Sequence, residues 1–326
     1  MKYVFLVWAL YVSLNAYSQD CSPASLSQKP GIWKEGMKGS VSGIPAADLE
    51  KERKVVASLH SLIKSKYSPL GVEADFNGSF DRPDAEIPVN DYDYKIYFMP
   101  YFCEKNIIKT AHETSTTFSI SSNRFNGNIY EIADESNIPE GYYSLKNMPV
   151  EKDGYFYFEE KASLGFGETG KSRNWLITLD GKLPYSYVTK KEFLETQKKM
   201  LMTAMPKAIE NSNASYKLNT EKSYKNALTK LETLLKMPSG ESEQPAIVKQ
   251  DPADYLSYIF TNATDPFCKV LIKPNPGYFN SKLTRSSPQF FLVNVTGNEN
   301  DQVAGKVMND LMKDFDFTSL KNILGK

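Results

Sequence analysis

The sequence predicts an α+β fold: an antiparallel sheet region flanked by amphipathic helices, with a smaller mixed α/β part toward the C-terminus. Three observations carry this. Val55, Val56, Leu59, Leu62, Ile63 and Tyr67 recur at three- and four-residue steps, the spacing of one helix face. From about Tyr92 to Tyr187 the period drops to two, with short aromatic and β-branched runs between turn residues. Val303, Val307 and Leu311 then return to helical spacing near the end.

The elements follow in chain order. Lys2 precedes a nearly unbroken apolar run over residues 3–14, and Ala16-Tyr17-Ser18 gives the small-x-small pattern of a cleavage site. We read residues 1–18 as a signal peptide cleaved near Ser18/Gln19, because the run is too short to span a bilayer. Residues 19–46 hold Pro23, Pro30 and Pro45 among several glycines and read as an irregular arm docked through Trp33. A main α+β domain is expected over 47–237. Its first helix starts at Asp48 as N-cap and stops before Pro69 and Gly71. Strands are expected through Tyr92, Tyr94, Ile96 and Phe98, and over 117–120, 128–132, 154–159 and 174–179. Asn126-Gly127 and Asp180-Gly181 suit hairpin turns, since these residues tolerate positive φ.

Thr189 and Glu192 form a Thr-x-x-Glu capping box, with Val188 and Phe193 placed for a hydrophobic staple. A helix therefore starts at Lys190 and should break or bend near Pro206. A second helix, near 220–236, puts Tyr224, Ala227, Leu228, Leu231, Leu234 and Leu235 on one face. Pro238-Ser239-Gly240 opens a polar linker over 238–252, and a mixed C-terminal region follows over 253–326. There Asp251-Pro252-Ala253-Asp254 is read as a helix start running to Phe260. Strands are expected over 269–273 and 289–295, before the last amphipathic helix.

Composition bounds the function classes. Removing residues 1–18, with Lys2 as their one charged side chain, leaves 38 basic against 39 acidic residues. Such a neutral chain lacks the basic stripe that nucleic acid requires. No second apolar segment is long enough for a transmembrane segment after signal cleavage. Cys21, Cys103 and Cys268 permit one disulfide by any of three pairings. Ser18-Gln19-Asp20 is a poor lead-in to lipoprotein anchoring at Cys21.

Gly165-Phe166-Gly167-Glu168-Thr169-Gly170-Lys171-Ser172 matches the phosphate-binding loop of nucleoside triphosphatases. That chemistry needs a following helix, whose free N–H groups and dipole hold the phosphates. Here a strand-like run, Trp175 to Leu179, follows instead. Gly165, Gly170, Lys171 and Ser172 are therefore rejected as a cofactor site and read as a glycine loop within a hairpin, and no cofactor is assigned. His60 and His112 lack other ligands at useful spacing, so no metal site is assigned. Ser61-Leu62-Ile63-Lys64 and Ser121-Ser122-Asn123 resemble two penicillin-binding elements, but the third, Lys-Thr-Gly, is absent. Glu159-Glu160 and Asp91 with Asp93 are candidate paired carboxylates, although solvated sheet faces account for most such residues. Tyrosines crowd the sheet region, as half-buried strands favour them.

The Ser18-Gln19 junction, Lys29-Pro30-Gly31-Ile32-Trp33, the stretches from Leu183-Pro184-Tyr185 and Val188 to Leu194, and the ending from Phe315-Asp316-Phe317 to Leu320-Lys321 resemble a group of uncharacterised exported proteins from Bacteroidetes. The resemblance implies a secreted or periplasmic location and no activity. The expectation is a non-catalytic envelope protein that is structural or binds an envelope protein, glycan or peptide; the alternative is a secreted hydrolase using paired carboxylates.

Overall fold

The computed structural model describes residues 20–35, 39–81, 87–125, 127, 130–133, 138–145, 147–165 and 167–326. Residues 1–18, read as a signal peptide, lie outside the described residues, as does Asn126. The fold is α+β, with mostly antiparallel sheets and packed helices.

The arm contains two short regular elements. It forms a helix, α1 (Pro23–Gln28), capped by the Ser22 hydroxyl on Ser25 N–H, and a strand, β1 (Ile32–Glu35). The long helix α2 (Ala46–Lys66) begins behind Pro45, with Asp48 inside its first turn, where a carboxylate suits the positive end of the dipole. Next come β2 (Val72–Asp81), β3 (Asp91–Glu104), β4 (Ile107–Thr110) and β5 (Thr117–Ser122). The chain continues through β6 (Tyr130–Ile132), β7 (Tyr143–Leu145), β8 (Val150–Lys152), β9 (Tyr155–Gly165), β10 (Glu168–Thr178) and β11 (Tyr185–Tyr187). Helices α3 (Lys190–Asn211), α4 (Lys217–Leu234) and the short α5 (Ser239–Ser242) follow. The chain ends with β12 (Ile247–Asp251), β13 (Asp254–Phe260), β14 (Lys269–Pro274), β15 (Phe290–Gly297), α6 (Gln302–Lys313) and α7 (Phe317–Lys321).

Among the described residues the larger sheet runs β1-β2-β3-β5-β15-β10-β9-β8, with β4 added beside β3. Only its β1–β2 pair is parallel. The smaller sheet runs β13-β12-β14-β7-β6, with β11 also on β14. One face of the large sheet, with Tyr94, Ile96, Phe98, Phe118, Val293 and Ile177, packs under α2, α6 and α7. Leu59 and Ile63 fill that core from α2, and Val307, Met308 and Leu311 fill it from α6. The opposite face, through Phe158, Leu176, Phe290 and Leu292, packs against Tyr143, Leu145, Val270 and Ile272 of the small sheet.

Several expectations are corrected. Asp180-Gly181 does not make a hairpin, because the strands on either side belong to different sheets, and Asn126-Gly127 falls partly outside the described residues. The tight hairpins form instead at Lys105-Asn106 and at Asp153-Gly154, each with φ between 53° and 79° as a primed turn requires. Helix α3 passes through Pro206, which is exposed, and continues to Asn211. The stretch read as a linker contains α5 and β12, and the helix expected after Asp251 is the β12–β13 hairpin. There the Asp251 carboxylate accepts from Ala253 N–H at 3.0 Å, a local Asx turn, while Tyr258 and Ile259 supply β-favouring side chains. Strand β15 sits between β5 and β10 in the middle of the large sheet. Residues 253–326 thus contribute β13 and β14 to the smaller sheet and β15 to the larger one.

Thr189 does cap α3, accepting from Glu192 N–H at 3.1 Å, and Val188 and Phe193 share one buried cluster. The Glu192 carboxylate takes Lys273 Nζ at 2.6 Å and Tyr142 OH at 3.2 Å.

Candidate functional site

A cavity of about 340 Å³ opens at one end of the large sheet, at the lower edge of the size range of small-molecule sites. Its floor is apolar: Val72 and Phe98 from the sheet, with Val303, Ala304 and Val307 from α6. Its upper wall is the segment before β5, where Thr114, Ser115 and Thr116 bring three hydroxyls. Thr114 Oγ1 accepts from Thr116 N–H at 3.0 Å, and Phe98 N–H donates to Thr116 O at 3.1 Å, which pins this wall to β3. The rim carries three carboxylates, Glu113, Glu168 and Asp301, and no lysine or arginine lines the cavity.

Each rim carboxylate is placed by a local rule. Asp301 caps α6, accepting from Val303 N–H at 2.9 Å and Ala304 N–H at 2.8 Å. Glu168 opens β10, directly after the β9–β10 hairpin turn. Glu113 stands in the bend between β4 and β5. Close backbone approach shapes the same end of the sheet. A Cβ on Gly170 would lie 2.3 Å from Gly297 O, so glycine lets β10 meet β15 there.

The arm flanks this end of the molecule. Cys21 is bonded to Cys103 on β3, with Cα atoms 5.7 Å apart, and Cys268 is the free thiol. Burial pushes the Cys268 thiol up. The pairing fits an oxidising compartment, and it engages the Cys21 sulfur that a lipid thioether would need. Gly71, at φ 74°, has Ser27 of α1 and Val303 of α6 both just over 3 Å from where its Cβ would be. Lys29 Nζ lies 5.3 Å from the centre of the Tyr101 ring, on the cavity wall.

The residues singled out by the sequence are distributed as follows. Gly165 and Gly167, at φ 89° and 81°, turn the β9–β10 hairpin; Gly170, Lys171 and Ser172 lie within β10. No helix follows them. Lys171 Nζ sits 3.2 Å from Glu159 and 3.0 Å from Glu299, and the Ser172 hydroxyl accepts from Asn294 Nδ2 at 2.8 Å. The contribution of this motif to the cavity is Glu168, which the phosphate-loop pattern leaves unassigned.

The candidate carboxylates are engaged elsewhere. Asp91 and Asp93 both grip Arg124, with Nε to Asp91 at 3.1 Å. Glu159 accepts from Tyr157 OH at 2.6 Å, and this bond, together with Lys171, holds its carboxyl below the usual range. Such groups are poor general acids at neutral pH. Glu160 pairs in register with Ser172 and points to the opposite face from Glu159. His60 is stacked on Phe76 at 4.4 Å, with Nδ1 3.2 Å from Tyr94 OH, while His112 is exposed. Ser61 Oγ donates to Ala57 O at 3.0 Å within α2. Asn123, at φ 57°, bridges Asn90 O, Ser287 O and Gln289 N–H as a structural corner. Among the described residues no cluster of three or more His, Cys, Asp or Glu could hold a metal ion. Among the described sheet tyrosines Tyr92, Tyr94, Tyr101, Tyr142 and Tyr143 are buried, while Tyr97, Tyr155 and Tyr157 are half-buried.

A second polar concentration crosses the other face of the large sheet. Asn294 Nδ2 donates to Ser172 Oγ and Asn174 Oδ1, both at 2.8 Å, and Thr296 Oγ1 donates to Asn294 Oδ1 at 3.1 Å. The cavity beside it, lined in part by Asp93, Lys95 and Arg124, measures about 120 Å³, the share of a few water molecules. The cavity at the sheet end is thus the candidate site. The chain matches no protein-family model, no curated protein and no solved structure.

Proposed function

We propose that this chain is an exported, non-catalytic binding protein of the cell envelope, and that the sheet-end cavity takes an amine- and hydroxyl-bearing group of a glycan or peptide. One observation carries the reading: three carboxylates ring an apolar floor with no cation among the lining residues. A negative rim favours a positively charged group, the three hydroxyls before β5 suit a polyol or amide, and the floor covers an aliphatic or sugar-ring face. The Cys21–Cys103 disulfide supports a location outside the cytoplasm. Among the described residues no helix is long and apolar enough to cross a membrane. The hydrolase alternative is less well supported, because Asp91, Asp93 and Glu159 are held in ion pairs.

The test is thermal stabilisation of the purified mature protein by glucosamine oligomers and lysine-containing peptides, with glucose oligomers and acetylated peptides as neutral controls. A ligand at a hundred times its Kd adds about 2.7 kcal/mol to the native state, which raises the melting temperature by several degrees in a chain of this size. The Glu113→Gln/Glu168→Gln pair should abolish that rise while leaving the ligand-free melting temperature unchanged, since both side chains are exposed. Equal stabilisation by neutral and cationic probes, or a rise that survives in the double variant, would refute the assignment.

A further inference from the structure

The α3–α4 pair carries a charge and an apolar tip that the cavity does not use. Between residues 190 and 236 the chain holds ten lysines against five glutamates, in a protein whose overall charge is zero. Four of those lysines are paired: Lys190 with Glu241, Lys198 with Glu232, Lys225 with Glu221 and Lys230 with Asp251. The other six are exposed, and of these Lys236 lies within electrostatic reach of Glu232. Three of them, Lys207, Lys217 and Lys222, flank the turn where α3 passes into α4.

The same turn exposes large apolar side chains. Tyr216 is 62% and Leu218 75% accessible, and Met202, on the last half of α3, is 56% accessible. Elsewhere these two helices bury their apolar residues, with Leu194, Leu201, Tyr224, Ala227 and Leu231 packed together and onto Leu256 of β13. An aromatic and a branched aliphatic group left in water on either side of Lys217 is the side-chain chemistry of the lipid–water interface, where a ring and an alkyl chain enter the headgroup layer and ammonium groups meet anionic headgroups. A purely acidic protein partner would use the lysines and leave Tyr216 and Leu218 unexplained.

We infer that the α3–α4 turn docks on an anionic phospholipid surface, with Tyr216 and Leu218 entering the headgroup region and Lys207, Lys217 and Lys222 contacting the anionic headgroups. The site is on a different part of the chain from the cavity residues, and the inference does not rest on the ligand proposed for them. The contact is peripheral, since neither helix is long and apolar enough to cross the bilayer.

The experiment is co-sedimentation of the mature protein with phosphatidylglycerol vesicles, against phosphatidylcholine vesicles, at low and high salt. Binding should be specific to phosphatidylglycerol and should fall as salt rises. Lys207→Gln/Lys217→Gln/Lys222→Gln should weaken it roughly a hundredfold, from about fivefold per lysine at the surface. Tyr216→Ser/Leu218→Ser should abolish it at matched salt. All five positions are exposed, so the melting temperatures should stay unchanged, and this is checked on each variant. In Tyr216→Trp, the new indole fluorescence should shift to the blue on adding phosphatidylglycerol vesicles. Absence of phosphatidylglycerol binding, binding that survives in the Tyr216→Ser/Leu218→Ser variant, or equal affinity for soluble polyglutamate would each overturn the inference.

Discussion

Breaking the Cys21–Cys103 bond is the most informative perturbation of this fold, because it separates two ways in which the arm could be attached. The bridge closes a loop with a sequence separation of 82. In the chain-entropy model, opening a loop of that length releases about 15 cal/mol/K in the unfolded ensemble, or about 4.5 kcal/mol at 25 °C. Typical domain stabilities are about 5–15 kcal/mol, so this is a large share. The full loss appears only if the arm unfolds together with the sheet. The contacts that couple them include the β1–β2 pairing, the Lys34–Glu73 ion pair at 2.9 Å, the hydrogen bonds of Gly31 N–H to Pro69 O at 2.9 Å and Gly71 N–H to Lys29 O at 2.8 Å, and Trp33 against His60 at 5.3 Å and Tyr67 at 6.2 Å. We expect Cys21→Ala/Cys103→Ala to lower the melting temperature by about 10 °C, taking 2–4 °C per kcal/mol for a chain of this size. Urea unfolding followed by Trp33 fluorescence in a Trp175→Phe background reports the arm, and far-ultraviolet circular dichroism reports the sheet. Coincident transitions shifted by about 4 kcal/mol would show one cooperative unit, whereas an earlier Trp33 transition would show the arm leaving first. A double variant within about 1 kcal/mol of the parent by both probes would refute the reasoning.

Two further predictions concern buried positions. Glu52 is fully buried in α2, with Oε1 accepting from Asn90 at 2.7 Å and Ser286 at 3.1 Å and Oε2 without a partner; desolvation raises its pKa. Its folded form therefore holds a proton more tightly than the unfolded chain, so its contribution is complete below the ordinary glutamate value and is lost as pH rises through the folded value. Glu52→Gln should gain stability relative to the parent as pH goes from 4 to 8 in urea titrations, and a difference that is flat across that range would disprove the assignment. Gly71→Ala should destabilise by about 1–2 kcal/mol for the left-handed backbone alone. Crowding against Ser27 and Val303 should add to this and weaken protection of α1 amides in hydrogen exchange, while an unchanged melting temperature would contradict that geometry.

The misread elements share a physical cause. Strand β2 has no clear sequence signal because Asp75, Asn77, Gly78 and Ser79 are poor strand formers; it exists because β3 pairs with it over ten residues and β1 over four. Asp251-Pro252-Ala253-Asp254 satisfies a helix start and an Asx turn equally well, and the choice is made by Val248 pairing with Phe260 across the hairpin. The cavity had no local signature at all. Glu113, Glu168 and Asp301 come from three distant segments, and the one strong motif nearby specifies Lys171 and leaves the Glu168 position open. The cap at Asp301 was the available signal, since an aspartate before an amphipathic run marks a helix end that must face something.

What the sequence determined by itself is what depends on neighbours a few residues away. The apolar stripe of α2, the capped start of α3, the amphipathic α6, the alternation of β3 and the inability of Gly165–Ser172 to meet a helix are all local patterns, and each follows from periodicity, caps and turn chemistry. The tertiary structure decided the rest: which two of three cysteines bond, that β15 enters the middle of a sheet begun more than two hundred residues earlier, and which carboxylates come together around the cavity. Those outcomes are set by long-range pairing and burial, whose energy arises only when distant segments meet, so no window of the sequence contains them.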